Sequence, residues 1–420
     1  MDDRDTLPFL DGLQRTGIRP GLTRIRRLLA RLGHPERAFP SVLITGTNGK
    51  GSTAAFLAAI LAAEGREVGL FTSPHLVDVR ERVRIGGALL PADGFAACGE
   101  EVRAAGVRVT YFEALTAIGF LAFARAGVDV AVVEVGMGGR LDSTNTIAPL
   151  VSVLTNVSMD HSHFLGDTLD AIAAEKVEVA RRRRPFVTAV ADGPFDRVVG
   201  PRLAALAARP LRLGRDFRAG WGPDGTLSFT GRVAALTGLC PSLAGAFQAD
   251  NAACALAAAE ALREDGLGAS DAAMRAGIAA ASWPGRMQRL STRPDVILDG
   301  CHNPGAADRL AETLLASPPA RPLVLVHASR PDKDFRAVLG RLAPLCDAVV
   351  ETSIPGLAEP AVLAAACRDA APGVPVEAMP DLASALARGR ALAGEAGTVL
   401  IAGSLYLAGA VLRGGSAVGR

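Results

Sequence analysis

The segment ITGTNGKGST, residues 44–53, flanks Lys50 with Gly49 and Gly51 and follows them with two hydroxyls, Ser52 and Thr53. These residue types suit phosphate capture. Glycines let the backbone amides of a turn converge on an anion, and a helix starting there adds the positive end of its dipole. An ammonium offsets the β and γ charges, and a hydroxyl can reach a hard cation. The spacing departs from the usual phosphate-loop pattern, because two residues, not four, separate Gly46 from Gly49 and Gly51 stands between Lys50 and the first hydroxyl. That displacement leaves both Ser52 and Thr53 as candidates for a metal contact. A plain glycine turn would need only positive φ and would be indifferent to the lysine. The reading is therefore a phosphate site built from Gly46, Thr47, Asn48, Gly49, Lys50, Gly51, Ser52 and Thr53.

Lysine is scarce in this chain. Among 45 basic residues only Lys50, Lys176 and Lys333 are lysines, and all others are arginine. An ammonium is a compact charge whose neutral amine can react, which a guanidinium does not imitate. Positions that keep lysine in so arginine-rich a chain are candidates for chemistry. Ser73 in TSPH, Glu134 in VVEVG and Asp160-His161 in MDHSH add a hydroxyl, a carboxylate and an imidazole.

Positioning these groups falls to the elements around them. SVLI reads as a buried strand entering the glycine loop, and STAAFLAAILAAEG as an alanine-rich helix closed by Gly65. EVGLF (67–71), VDVAVVEVG (128–136) and PLVSVLTN (149–156) are further strands, and GLTRIRRLLARLG (21–33) and YFEALTAIGFLAFARAG are helices. Alternating strands and helices predict a mostly parallel sheet covered on both faces. Ligands of such sheets lie beyond the carboxyl ends of the strands, and the glycine loop, Ser73, Glu134 and Asp160-His161 all map there. The rhythm restarts near residue 288 with DVILDGCHNPGAADRLAETLL, PLVLVHASRPDKDFRAVLGRL and TVLIAGSLYLAGAVL, each strand, polar loop and helix, and DAVVETS adds a strand. SWPGRMQRL (282–290) reads as the hinge, and residues 186–245 as mixed strand and loop.

The composition sets bounds on function. Hydrophobic residues at 49% and charged ones at 21%, without a long block of one sign, describe a chain expected to be globular throughout. A net charge of +2 gives no field that would favour nucleic acid or a membrane surface. Arg181–Arg184 reads as the solvated end of a helix stopped by Pro185. Cysteines 98, 240, 254, 301, 346 and 367 show no metal-like spacing, as reduced thiols would. The start MDDRDTLPFL lacks a signal-peptide core, and no apolar run reaches the roughly 18–20 residues of a membrane span. A cytoplasmic location, no membrane and no nucleic-acid partner are expected.

In order along the chain, GTNGKGST, TSPHL, FEALT, EVGMGGRLDSTN, MDHSHFLG, AAEK, PGRMQ, LDGCHNPGA, DKD and AGSLYLAG resemble the folylpolyglutamate synthase / dihydrofolate synthase family, relatives of the Mur ligases. The resemblance implies an α/β fold: a phosphate-loop ATPase domain on a mostly parallel sheet over residues 1–285, then a smaller Rossmann-like glutamate ligase domain over 286–420. It implies ATP-dependent attachment of L-glutamate to dihydropteroate or a folate, with Mg²⁺ held by Ser73, Glu134 and His161. His163 is an alternative to His161. Lys176 would be carbamylated and bind a second divalent metal, although EKVEV puts Glu178 where the family has glycine; the alternative is a lysine paired with nearby glutamates. Lys50, His161 and Lys176 would be catalytic. Asn251, Arg286 and Asp299 would contact the nucleotide, with turn chemistry the alternative for Asp299. His302 and Ser404 would meet glutamate. Asp142 would hydrogen-bond a pterin ring, and Phe112 and Phe71 are stacking faces or core. A monomer is expected.

Two rival readings remain. A cell-wall Mur ligase carries a substantial domain before its phosphate loop, whereas only about 40 residues precede this one. A regulatory nucleotide-binding protein would have no need of Lys50, Glu134, His161 and Lys176 together.

Overall fold

The computed structural model describes residues 8–14, 17 and 19–414. The chain divides into two compact units. One runs to Ser242 and resumes over Gln248–Ser282, and the other comprises Leu243–Phe247 and the chain from Trp283 onward.

The first unit is built on eight strands: β1 (Ser41–Thr45), β2 (Val68–Phe71), β3 (Val83–Ile85), β4 (Ala88–Leu89), β5 (Val130–Glu134), β6 (Val151–Leu154), β7 (Pro185–Thr188) and β8 (Arg209–Arg212). They lie in the order β4-β3-β2-β5-β1-β6-β7-β8. All neighbours are parallel except β2 with β3 and β3 with β4, which form an antiparallel edge. Every residue of β1 and β5 is buried, as continuous apolar runs in the middle of a two-sided parallel sheet must be. Leu43 and Val133 join a cluster with the Tyr111–Ala126 helix and with Phe71, Phe120 and Phe123. Phe71 is fully enclosed there, so it is core and not a stacking face for a ligand. The Lys50–Ala63 helix packs against the Gln248–Ala261 and Asp271–Ala280 helices. Gly277 permits that approach, since a Cβ there would sit 2.3 Å from the Ile60 Cα.

Residues 186–245 hold more order than their composition suggests. After β7 comes a helical stretch, Asp192–Ala205, before β8 completes the sheet; β9 (Arg218–Trp221), β10 (Leu227–Thr230) and β11 (Ala235–Leu239) then form a separate antiparallel sheet. Gly193-Pro194 and Gly200-Pro201 read locally as breakers, which hid the helical stretch. The Glu260 carboxylate accepts the backbone N–H groups of Arg232, Val233 and Ala234, tying this sheet to the Gln248–Ala261 helix.

The arginine run also differs from expectation. The helix before it ends at Val177; Arg182 and Arg183 are exposed as expected, but Arg181 is half-buried. It donates to the Asn145 side chain at 2.7 Å and the Ile147 carbonyl at 2.9 Å. Buried carbonyls need donors, and a guanidinium offers several in one plane.

The second unit is a six-stranded sheet: β12 (Gln288–Thr292), β13 (Asp295–Leu298), β14 (Leu323–His327), β15 (Ala348–Glu351), β16 (Val376–Ala378) and β17 (Thr398–Ala402). Their order is β12-β13-β17-β14-β15-β16, with β12 antiparallel and the rest parallel. Because β17 lies beside β13, the turns leaving these two strands meet. Among the described residues no helix is long and apolar enough to cross a membrane.

Candidate active site

The glycine loop leaves β1 and enters the Lys50–Ala63 helix through Gly49, whose φ of 80° is the left-handed conformation glycine tolerates. No side chain caps that helix start, so the dipole end is kept for the loop itself. Two close approaches account for Gly46 and Gly49. A Cβ at Gly46 would lie 1.9 Å from the Thr155 Oγ1, and one at Gly49 would lie 2.2 Å from the Asn251 Oδ1. Asn251, expected at the nucleotide, thus sits on the phosphate loop. It also donates to Gln248 at 2.8 Å, so its amide is held in place. Ser52 and Thr53 are both buried, and the Thr53 hydroxyl has no hydrogen-bond partner.

Two lysines converge on one carbonyl. Lys50 donates to the Gly46 and Thr47 oxygens at 3.1 Å each. Lys176 is buried and donates to the same Gly46 oxygen at 2.8 Å. It therefore turns toward the loop and away from the neighbouring glutamates; Glu175 is engaged by Arg140 and Glu178 by Arg202. Burial, with the nearby Lys50 charge adding to it, lowers the Lys176 pKa to about 7. Asp160 and Asp142 pull in the other direction.

The strand-end groups gather beside the loop. Ile44 of β1 is in register with Glu134 of β5, and the buried Glu134 carboxylate accepts the Ser73 N–H at 3.0 Å. His161 has a φ of 52°, held by a 2.8 Å bond from its N–H to the Asp160 carboxylate. Its side chain is 40% exposed, so its ring faces solvent, whereas Glu134 does not. Among the described residues no three His, Cys, Asp or Glu side chains form a metal cage. Ser73 and Glu134 offer the oxygen donors that a hard divalent ion takes alongside water and phosphate oxygens, whereas the imidazole is a less usual donor for such an ion.

The pterin candidates are set by the turn after β5. Asp142 is buried and accepts from Met137 N, Thr144 N and the Thr144 hydroxyl. Burial pushes its carboxyl pKa up, against those bonds and the Lys50 charge. Asp142 is therefore first a turn-forming residue. Phe112 packs on Gly136, where a Cβ would meet its ring at 2.5 Å.

In the second unit, Asp299 accepts Cys301 N at 2.8 Å and Met287 N at 2.9 Å. Burial raises its pKa while Arg286 opposes the rise. A Cβ at Gly300 would meet Leu405 at 2.4 Å and the Arg286 guanidinium at 2.5 Å, so Arg286, Asp299 and the turn after β17 share one corner. His302 donates from Nδ1 to the Gly300 carbonyl at 2.9 Å. Ser404 is buried and caps the Leu405–Arg413 helix by accepting Tyr406 N.

Sequence reading missed the residues that hold the glycine loop. Thr155, Asn156 and Ser158 all bond it. The only signal was a polar run directly after a buried strand.

A phosphate loop on a parallel sheet, followed by a second parallel α/β unit, is the two-domain Mur ligase fold. Residues 44–199 match the Mur ligase middle domain, and 285–405 match the Mur ligase glutamate ligase domain. The chain belongs to the dihydrofolate synthase/folylpolyglutamate synthase family. It is 34% identical to the dihydrofolate synthase/folylpolyglutamate synthase of Bacillus subtilis over 82% of this chain and 84% of that one. It is 38% identical to a probable bifunctional folylpolyglutamate synthase/dihydropteroate synthase of Haloferax volcanii, matched over 97% of this chain but spanning only 50% of that relative. Among solved structures, E. coli FolC in complex with DHPP and ADP superposes with a TM-score of 0.89 at 32% identity, covering 97% of this chain and 96% of that chain. The bifunctional folylpolyglutamate synthase/dihydrofolate synthase of Yersinia pestis complexed with AMPPNP and Mn ion superposes with a TM-score of 0.86 at 30% identity, covering 99% of each.

Proposed function

We propose that this chain is an ATP-dependent acid–amino-acid ligase that joins L-glutamate to the carboxylate of dihydropteroate, of a folate, or of both. One observation carries the reading: Lys50 and Lys176 meet on the Gly46 carbonyl at the same carboxyl end of the sheet as Ser73 and Glu134. Its relatives' nucleotide complexes and names point to the same chemistry.

A carboxylate is a poor electrophile, and an ammonium has no free lone pair. Transfer of the ATP γ-phosphoryl to the acceptor carboxylate gives an acyl phosphate and ADP. The neutral glutamate amine adds to its carbonyl carbon, and the tetrahedral intermediate expels phosphate as the amide forms. Such transfer depends on positioning and charge neutralisation. Lys50 and the amides at the start of its helix would hold the β and γ oxygens. Asn251 stands against the loop to fix the nucleotide. Ser73, Glu134 and His161 would hold a divalent ion, which supplies further charge neutralisation. Ser52 and Thr53, both buried at the start of the same helix, are the two hydroxyls that would face that ion. Lys176 would act as a carbamate, giving anionic oxygens for a second ion. Asp142 and Phe112 would receive the pterin. In the second unit, Arg286 would contact phosphate, Asp299 the ribose, and His302 and Ser404 the glutamate.

The test is an acceptor panel with ATP and glutamate, read by product mass. ADP release that requires both glutamate and a pteroyl acceptor, with a product heavier by one glutamyl residue, is expected. Release that ignores glutamate would overturn the ligase reading. No turnover with any acceptor would favour a nucleotide-binding regulator.

A further inference from the structure

The amide side chain of Asn156 lies along the backbone of the phosphate loop like a short piece of strand. Its Oδ1 accepts Asn48 N at 3.0 Å, and its Nδ2 donates to the Asn48 carbonyl at 3.0 Å. Its own carbonyl accepts Thr47 N at 3.0 Å. Thr155 adds a 2.6 Å bond from its hydroxyl to the Asn48 carbonyl. Beyond Asn156, the Thr47 hydroxyl donates to the Ser158 carbonyl at 3.0 Å and accepts Ser158 N at 3.1 Å, and the Asn48 amide reaches the Ser158 hydroxyl at 3.2 Å. The pairing of β1 with β6 thus continues past the ends of both strands, through side chains that stand in for a ladder.

Two and three residues after Ser158 come Asp160 and His161, and the His161 N–H bonds the Asp160 carboxylate at 2.8 Å. Residues 46–48 would hold phosphate, and the segment after 158 would hold the ion. Ligand-binding loops are usually among the most mobile parts of a fold. Here Thr47 and Asn48 are bonded to Ser158, three residues before His161.

We infer that Asn156 is a positioning residue that welds the phosphate loop to the metal-bearing loop, so that nucleotide and ion sites move as one piece. The inference rests on the roles proposed above for Lys50 and His161, but its structural content does not need them. Asn156→Ala removes both amide bonds to Asn48. Ser158→Ala removes one bond at the far end of the same zipper and serves if the first variant folds poorly. Asn145→Ala, in a turn outside the zipper, is the control.

Hydrogen exchange of the ligand-free chain is the primary measurement. Asn156→Ala should speed exchange by about tenfold in segments 46–49 and 158–161 together, Ser158→Ala less in the same two segments, and Asn145→Ala in neither. ADP affinity measured with Mg²⁺, and the Mg²⁺ concentration giving half that binding, should both worsen by about tenfold in Asn156→Ala. Faster exchange in only one of the two segments, or no change beyond twofold in either, would overturn the inference. If the unaltered chain bound no ADP, the ligase reading would fail, and the exchange result would still decide this one.

Discussion

Lys176 donates from its ammonium to the Gly46 carbonyl oxygen at 2.8 Å, although 130 residues separate them in sequence. An ammonium is buried beside a second one, and its pKa falls to about 7. Near neutrality a large share of this lysine is therefore the free amine, the form that adds to carbon dioxide and loses a proton to give a carbamate. The resulting anion would face Lys50 favourably. Lys176→Ala should lower kcat by about 10²–10³-fold, the scale of losing one charged stabiliser in a dry site. Small carboxylates such as formate or acetate should restore part of it, and should do nothing for Lys50→Ala. An unmodified Lys176 in active protein, by intact mass at neutral pH under carbon dioxide, would exclude the carbamate.

The same shift makes a stability prediction. For Lys176 the folded pKa of about 7 lies below the value near 10.5 of the unfolded chain. Between these values the unfolded state binds more protons, so the ligand-free protein gains stability as pH rises through the window. Below pH 7 both states are charged, and the full burial penalty, about 3–5 kcal/mol, is present. Lys176→Met should therefore raise Tm most at pH 6–7, with the advantage fading toward pH 10. An advantage that does not change with pH would mean that the ammonium carries no burial penalty.

Gly49→Ala tests the fit of the loop against Asn251. The new Cβ would sit 2.2 Å from the Asn251 Oδ1, at a φ of 80°. Left-handed strain costs about 1 kcal/mol, and the amide must also move. ADP binding should weaken by about 10–100-fold while the fold survives. Adding Asn251→Ala should relieve the clash without restoring the nucleotide contact, so the double variant should bind no more weakly than Gly49→Ala. Additive losses would mean that the two residues do not share a site.

Much of the candidate site could be read in the sequence because parallel sheets deliver strand ends to one side. Ser73, Glu134 and the glycine loop each follow an apolar run whose length and β-branched content mark a strand, and the sheet order brings those ends together. What could not be read depends on pairing between distant segments. Nothing local tells Arg181 that it will cap carbonyls near Asn145, or tells Asn156 that it will line the backbone of Asn48. Phe71 and Phe112 are both aromatic residues near the same loops, yet one is sealed in the core and the other only partly covered, a difference set by Tyr111–Ala126 packing across β2. The antiparallel sheet of β9, β10 and β11 was obscured because its strands are short and half-exposed.

Asp299→Asn probes the corner of the second unit. Each carboxylate oxygen accepts one backbone N–H, from Cys301 and from Met287. An amide keeps one acceptor and turns an NH₂ toward the other donor, leaving a buried N–H unpaired at about 1–3 kcal/mol. Removing a charge whose pKa burial has already raised offsets part of that cost. The donor more readily lost is Met287, because its φ of 44° is strained and this bond helps to hold it. Relaxation there moves the adjacent Arg286, the proposed phosphate contact. Asn at 299 should thus lower Tm by only a few degrees, a loss of about 1 kcal/mol in a domain of this size, while raising the KM for ATP by about tenfold or more. Asp299→Ala, which frees both donors, should be worse in stability and similar in KM. A normal KM for ATP in Asp299→Asn, with Tm lowered as expected, would leave Asp299 a turn-forming residue and remove it from the nucleotide site.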